Sequence, residues 1–314
     1  MSAVIIRSGI QASLQAGPRL GFRHRGMPWA GAADPLSMAL ANWLVENSVA
    51  APVVELTYGG MSLTFERSAR LALAGAPCSI VLDGAEKSFW QAMQVRAGQT
   101  LEIGAPPAGL RTYLAIGGGW SGDVFLGSVS TYLPAAIGGY AGRALKPGDQ
   151  LTWIGPATTA PLRVLPEELR TPVSKSWALR ATVSAETDWL QPEARQSLFH
   201  DSFQVERQSD RMGLRLGGPR LQCDARAEIK SSATFPGLLQ CPPDGAPIIL
   251  MVDSQTTGGY PRIAHIARCD RHLLGQIRPS DRLRLLPCSP DSARKAWQAK
   301  QAYFRLWIPD LVLY

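Results

Sequence analysis

A mainly β protein of two β-barrel-like domains is what this chain of 314 residues predicts, and three features carry that expectation. Short apolar runs recur along most of its length, separated by turn signals such as Gly59-Gly60, Asp83-Gly84 and Pro147-Gly148-Asp149. Charged residues are sparse, at 18%, while 30 Gly and 24 Pro supply turn formers. Helical spacing is confined to a few stretches, one early and one near residue 290.

Taken in order, the early helix begins at Asp34, a good N-cap, with Pro35 at the first helical position. Leu36, Leu40, Trp43 and Leu44 then recur at helical spacing, and Asn47 marks its expected end. Strands are expected near Val53–Thr57, Met61–Phe65, Ala69–Ala74, Ser79–Leu82, Thr100–Ile103, Thr112–Ile116 and Gln150–Ile154. Such spacing suits a barrel or a sandwich. Residues Gly155 to Lys175 are the least patterned, so the boundary falls there: a first domain over 1–160, a linker over 161–175 and a second domain over 176–314. The second half restarts with a strand near Trp177–Val183 and a short helix over Pro192–His200. Core strands follow at Leu238–Gln240 and Ile248–Val252, then a last one at Leu283–Leu286. Ser289-Pro290 opens a C-terminal helix that carries Ala293, Ala296, Trp297 and Lys300 in register.

Composition narrows the function. Apolar runs stay far short of a membrane span, and the start lacks the pattern of a signal peptide, so a cytoplasmic location without membrane contact is expected. Five cysteines are scattered without a C-x-x-C pair, and four histidines lie far apart, so neither a disulfide framework nor a metal site is expected. The net charge of +7 favours anionic partners such as ATP, a carboxylated cofactor or an acidic subunit. Basic residues are dispersed rather than clustered with aromatics, which argues against nucleic-acid binding.

The most informative stretch is Pro247 to Arg262. An apolar run ends in Asp253, Ser254, Gln255, Thr256 and Thr257, followed at once by Gly258, Gly259, Tyr260 and Pro261. Neutral donors and acceptors with glycines at a strand exit suit close approach to a ligand. A tight turn capping its own backbone is the other reading. Gly117 to Gly122 formally matches G-x-G-x-x-G, but β-leaning residues follow and the expected acid is missing, so it reads as a turn. Gly127 to Thr131 is no nucleophile elbow, although Ser128 and Thr131 could donate to a ligand carbonyl. A Walker A motif is lacking, which puts any ATP hydrolysis on another subunit. Gly138-Gly139 and Gly142-Arg143 put an arginine on a glycine-rich loop, either to grip a carboxylate or to pin the loop to Asp149. Asp210-Arg211 is either a second carboxylate-gripping site or two adjacent opposite charges that order the turn ahead of Met212-Gly213. Glu55, within V-V-E-L-T, is either the polar member of a strand or a buried acid needing a partner.

Several of these stretches also carry a resemblance. D-S-Q-T-T-G-G-Y-P-R-I-A, with S-D-R-M-G-L-R-L and P-D-G-A-P-I-I-L-M before it, resembles the C-terminal half of the biotin-dependent carboxyltransferase-like proteins. These are also called allophanate hydrolase subunit 2, and they include the C-type subunit of the 5-oxoprolinase complex and an antagonist of a sporulation-kinase inhibitor. G-M-P-W-A-G-A-A-D-P-L-S, A-N-W-L-V-E-N, G-S-V-S-T-Y-L and G-G-Y-A-G-R-A-L-K-P-G-D match in order in the first half, so the resemblance covers about Val4 to Phe304. It implies cyclophilin-like β domains and a subunit that works beside a B-type partner, with an A-type subunit as a further candidate. The activity implied is ATP-dependent opening of 5-oxoproline to glutamate, or a related carboxyl transfer; the alternative is a non-catalytic partner that antagonises a kinase inhibitor. A covalently bound cofactor is not expected: a biotinylation sequence is missing, so ATP or carboxybiotin would come from partner subunits.

For either chemistry, neutral donors must meet developing oxygen charge, an arginine must hold a carboxylate and a carboxylate must serve as base. Asp253, Gln255 and Tyr260 are the expected catalytic residues, with Asp253 orienting or deprotonating the substrate. Arg143, Arg211, Thr256, Thr257, Gly258, Gly259, Ser128 and Thr131 are the expected binding residues for a small molecule. Two departures from the family pattern stand out: Ala16 and Pro18 replace an acid and a glycine, and Ser184-Ala185 replaces a Gly-Pro pair.

Overall fold

A computed structural model describes residues 1–155, 161–224 and 230–313. It is mainly β, as the turn spacing predicts, and its chain divides into two compact units. The first comprises Met1–Arg19, Ala30–Val173 and Phe304–Tyr314; the second comprises Leu20–Trp29 and Ser174–Tyr303.

The first unit holds eleven strands: β1 (Ser2–Ser8), β2 (Gln11–Gln15), β3 (Val53–Thr57), β4 (Met61–Phe65), β5 (Ala69–Gly75), β6 (Ile80–Leu82), β7 (Ala85–Glu86), β8 (Met93–Val95), β9 (Thr100–Ile103), β10 (Arg111–Ile116) and β11 (Gln150–Thr152). They form two sheets, in the orders β11-β1-β4-β9-β6-β7 and β2-β3-β10-β5-β8. Of the two forms the strand spacing allowed, this unit therefore takes two sheets rather than one closed barrel. The cause is local. Gly9, at φ 71°, turns the chain between β1 and β2, so consecutive strands enter different sheets. Leu14, Leu56, Phe65, Leu114, Trp120 and Trp153 belong to one buried cluster fed by both sheets. Trp153 meets Trp120 and Phe65 edge to face, with centroids 5.7 and 6.2 Å apart.

Helix α1 (Pro35–Leu44) packs on β5 and β10 and starts where the sequence places it. Asp34 Oδ1 accepts from the Ser37 amide at 3.0 Å, and Oδ2 from its hydroxyl at 2.5 Å. Asn47 lies beyond the helix and ties it to the β10 turn: its side chain donates to Ile116 O and accepts from Gly118 N. Glu55 is the buried acid, and it has partners. Its Oε2 accepts from Tyr113 OH and Ala33 N, both at 2.9 Å, and Oε1 lies 3.2 Å from Arg111 Nε. Tyr113 OH in turn accepts from Asp34 N at 2.8 Å. Burial, then the Glu55 and Asp34 charges, push the Tyr113 phenol well above its ordinary value.

The second unit contains β12 (Ser176–Val183), α2 (Pro192–His200), β13 (Ser202–Val205), β14 (Gly213–Gly217), β15 (Ser232–Ala233), β16 (Leu238–Gln240), β17 (Ile248–Leu250), β18 (Thr257–Gly258), β19 (Arg262–Ile266) and β20 (Arg282–Pro287). Seven of these close a barrel in the order β12-β19-β16-β17-β14-β13-β20, sealed by the parallel pairing of β12 with β20. Trp177, Leu179 and Ala181 alternate inward on β12, and Phe203, Leu214, Leu239, Ile249 and Leu283 help fill the interior. Helix α3 (Pro290–Arg305) follows β20.

The unit boundaries differ from the sequence expectation. Residues 156–160, which include part of the unpatterned stretch, lie outside the described residues. Residues 161–173, expected as linker, belong to the first unit because Arg163 and Leu165 pair with Ala92 and Trp90 through backbone hydrogen bonds. The segment Phe304–Tyr314 belongs there too, with Trp307 O accepting from Trp43 Nε1. Leu20–Trp29 belongs instead to the second unit. Among the described residues no helix is long and apolar enough to cross a membrane. None of their His, Cys, Asp and Glu side chains form a group able to hold a metal ion.

Both cores can be probed by unfolding. Tyr113→Phe removes the acceptor of the Asp34 amide and one of the two donors to Glu55 Oε2, and should lower unfolding free energy by about 1–3 kcal/mol, read by urea denaturation. His272, on the turn after β19, has its pKa brought down to about 3, first by burial and then by the Lys300 ammonium 3.4 Å away. It stays neutral in the fold while the unfolded chain protonates below 6.5. Its contribution is therefore complete above that value and falls by about 1.4 kcal/mol per pH unit as pH drops toward the folded value. His272→Gln should flatten the acid limb of a stability-versus-pH curve between those limits.

Candidate functional site

The polar loop after β17 is anchored by a buried ion pair. Arg211, beside the start of β14, donates from Nε to Asp253 Oδ2 at 2.7 Å and from Nη2 to Oδ1 at 3.0 Å. Backbone bonds from Met251 N to Met212 O and from Asp253 N to Arg211 O run parallel to it. The pair is 5% and 1% exposed, and the neighbouring Asp210 orders the turn by accepting from the Met212 and Gly213 amides. Both oxygens of Asp253 are engaged by the guanidinium. In this arrangement Asp253 anchors the loop.

Beyond the anchor the loop turns outward. Gln255, Thr257 and Tyr260 are exposed, while Thr256, Gly258 and Gly259 are half-buried. Gln240, at the end of β16, holds both ends of this arc: its Oε1 accepts from Gln255 Nε2 at 3.2 Å and its Nε2 donates to Tyr260 O at 3.5 Å. A Cβ on Gly258 would lie 2.7 Å from that Nε2, so a side chain there would displace the Gln240 amide. Thr234 bonds the Gln255 carbonyl through Oγ1 at 2.7 Å, and its amide donates to Thr256 O at 3.0 Å. β15 pairs with β18 alongside. The outcome is a fixed arc whose Gln255, Thr257 and Tyr260 side chains face solvent.

Sequence reasoning missed Gln240, Thr234 and Arg23. Arg23 sits on a one-turn 3-10 helix at Arg23–Arg25 and reaches the Thr234 carbonyl from Nη2 at 2.6 Å and the Gln255 carbonyl at 2.9 Å. No short-range pattern joins these residues, since the contacts span 211 and 232 positions. A buried polar residue closing a strand, such as Gln240, was the one readable hint.

In the first unit the expected ligand groups are occupied internally. Ser128 Oγ donates to Gly17 O at 2.6 Å, and Thr131 Oγ1 to Leu14 O at 2.9 Å, so their hydroxyl protons stitch the loop to β2 and the residues after it. Arg143 binds Asp149 through two parallel hydrogen bonds of 2.7 and 2.8 Å and lies 4.9 Å from the Tyr140 ring centroid. The hydrogen bond from Arg143 is the main cause that holds the Asp149 carboxyl below its usual range. Of its two readings, loop pinning is the arrangement present. Arg19, another residue the sequence did not single out, is 1% exposed and clamps the Phe125–Ser128 hairpin turn through Phe125 O, Ser128 O and Ser130 O. The departures at Ala16 and Pro18 lie where Gly31, at φ 88°, packs against the Ala16 carbonyl and the Pro18 backbone. The Thr187 hydroxyl accepts from the Ser184 amide and lies 2.9 Å from its carbonyl, next to the Glu186–Arg262 ion pair.

Comparison with known proteins gives consistent matches. The carboxyltransferase domain, subdomain A and B, matches residues 25–287. The chain is 38% identical to the C-type subunit of 5-oxoprolinase from Escherichia coli over 304 residues, covering 96% of each chain. It is 34% identical to the Haemophilus influenzae protein of the same name, covering 93% of each. Urea amidolyase of Saccharomyces cerevisiae is 30% identical across 91% of this chain, which corresponds to 16% of that longer protein. Among solved structures, K. lactis urea amidolyase aligns with a TM-score of 0.91 and 28% identity, covering 98% of this chain and 20% of its own.

The anchor can be tested without any substrate. Asp253→Asn leaves the Arg211 charge buried and poorly compensated and should cost about 3–5 kcal/mol of unfolding free energy. The double change Arg211→Met with Asp253→Leu should restore most of that loss in the same urea titration, because both desolvated charges are gone.

Proposed function

Since the chain belongs to the carboxyltransferase subdomain A and B family, we propose that it is the C-type subunit of an ATP-dependent complex that opens 5-oxoproline to glutamate. The observation that carries this reading is the end-to-end match to a separate subunit of that name, at 38% identity over 96% of both chains. The urea-directed relatives instead hold the corresponding region within much longer proteins. Partner subunits follow from the relatives' names, which make each of them one subunit of 5-oxoprolinase. A B-type partner, with an A-type subunit as the further member, supplies the ATP chemistry in this proposal.

Within the chain, the Gln255–Tyr260 arc is the surface we assign to the lactam. Opening a lactam builds negative charge on the carbonyl oxygen, and neutral donors held in advance stabilise that charge without needing a counter-ion. The Gln255 amide and the Thr256 and Thr257 hydroxyls are donors of this kind, and Gly258 and Gly259 let substrate approach the backbone. Gln240 and Thr234 keep the arc from collapsing when the oxygen is absent. A tightly held arc limits the reorganisation needed at the moment of reaction. The proton acceptor is assigned outside this arc, because Asp253 already binds Arg211.

The decisive experiment mixes the purified chain with its co-purifying partners and follows glutamate release from 5-oxoproline with ATP. Turnover that requires this chain, and that falls about tenfold or more in Gln255→Ala while the melting temperature holds, is the expected result. A stable complex with ATP present and no glutamate formed would turn the assignment toward another acceptor or a regulatory role.

A further inference from the structure

The two arginines that sequence analysis offers as carboxylate binders are each neutralised by an acid of the chain itself, Arg143 by Asp149 and Arg211 by Asp253. In the second unit, Arg180 and Arg262 are likewise paired, with Asp270 and Glu186. Arg23 differs. Its hydrogen-bond acceptors are the Thr234 and Gln255 carbonyls, and its guanidinium carbon lies 5.7 Å from the centre of the Trp29 ring. Its Nη1 is buried and has no hydrogen-bond partner among the described residues. It forms no salt bridge among them either. A half-buried guanidinium whose hydrogen-bond acceptors are all neutral oxygens, and whose sealed nitrogen has none, retains an unmet demand for an anion. Consistent with that setting, burial lowers its pKa from its ordinary value.

Position adds chemistry to charge. The Gln255 carbonyl that Arg23 holds belongs to the first residue of the exposed arc, so an anion on Nη1 would lie beside the donors assigned to the lactam. We propose that Arg23 recognises the substrate carboxylate, which makes the ligand class a small acid whose carboxylate sits next to an amide or lactam. This rests on the assignment of the arc to the lactam. Nη1 is closed to solvent in this structure, so the carboxylate meets it as the Arg23 side chain turns outward, taking the N–H groups that lack an acceptor, and the Trp29 ring flanks the same guanidinium without competing for them. Nothing covalent changes in this step: the residue selects and orients the substrate while the arc meets the reacting carbonyl.

The test uses the complete complex, with Arg23→Gln and Arg23→Lys compared against the unaltered chain. The substrate is 5-oxoproline, and the competitor is 2-pyrrolidinone, the same lactam without a carboxylate. Arg23→Gln should raise KM for 5-oxoproline about 10- to 100-fold, as expected for a lost charge-assisted hydrogen bond, with kcat changed much less. Arg23→Lys should recover part of the loss, and inhibition by 2-pyrrolidinone should be the same in all three proteins. A purely structural Arg23, acting only through the Gln255 and Thr234 carbonyls, would weaken charged and neutral lactams together and would overturn the proposal. An unchanged KM in Arg23→Gln would overturn it as well. Should the unaltered complex release no glutamate, the lactam-opening function fails while Arg23 is still tested by thermal shift of this chain with 5-oxoproline and 2-pyrrolidinone. Stabilisation by the acid alone that disappears in Arg23→Gln supports the anion site, and equal shifts in both proteins sink it. If Arg23→Gln does not fold, the partial effect in Arg23→Lys decides by the same criteria.

Discussion

The Arg211–Asp253 pair is the constraint on which the second unit's polar arc depends. It joins the residue that leads into β14 to the residue that leaves β17, two strands already paired in the barrel. Carboxylate and guanidinium are both buried, so the cost of removing either from water is recovered only while the two stay together. The barrel ends therefore have one geometry that leaves no charge unmet, and the loop between Asp253 and Tyr260 starts from a fixed point. Beyond it the arc is held by neutral contacts to Gln240 and Thr234 and by the Arg23 guanidinium on the Gln255 carbonyl, which are individually weaker and set its detailed course.

The first unit solves a similar problem with a chain of hydrogen bonds rather than a single pair. Glu55 sits directly opposite Tyr113 across β3 and β10, and Tyr113 passes the connection to the Asp34 amide at the head of α1. The helix is thus fixed to the sheet at the same end where Asp34 caps it. An acid inside a sheet would otherwise be a defect. Here it ties the head of the helix to the sheet.

What was legible in the sequence tracks the distance over which each decision is made. The start of α1 needs only Asp34, Pro35 and Ser37, all within one turn, and it falls where expected. The polar exit of β17 was readable because an apolar run stops abruptly at Asp253. The role of Arg143 was only half readable: the partner, Asp149, was named as one of two options, but nothing in the spacing chooses between an internal acid and a bound one. The same limit applies to Asp253, whose partner lies 42 residues earlier. The transfer of Leu20–Trp29 to the second unit was not readable at all, because what ties it there is a guanidinium meeting carbonyls more than 200 residues away. Strands such as β13, β14 and β19 were missed because their apolar positions are few and mixed with Gly, Gln and Arg. Their strand character comes from the neighbours that close the barrel.

The parallel seam between β12 and β20 has a consequence for how the protein is made. β12 is among the first elements of its unit to leave the ribosome, yet its seam partner ends at Pro287, more than a hundred residues later. At translation speeds of roughly 5–20 residues per second, an open β12 edge waits several seconds for closure. The first unit also completes late, since Trp43 finds the Trp307 carbonyl only after both regions have emerged. Neither unit can be finished while the other is unmade. The nascent chain therefore passes through a long interval of exposed strand edges, the state most open to mispairing and aggregation.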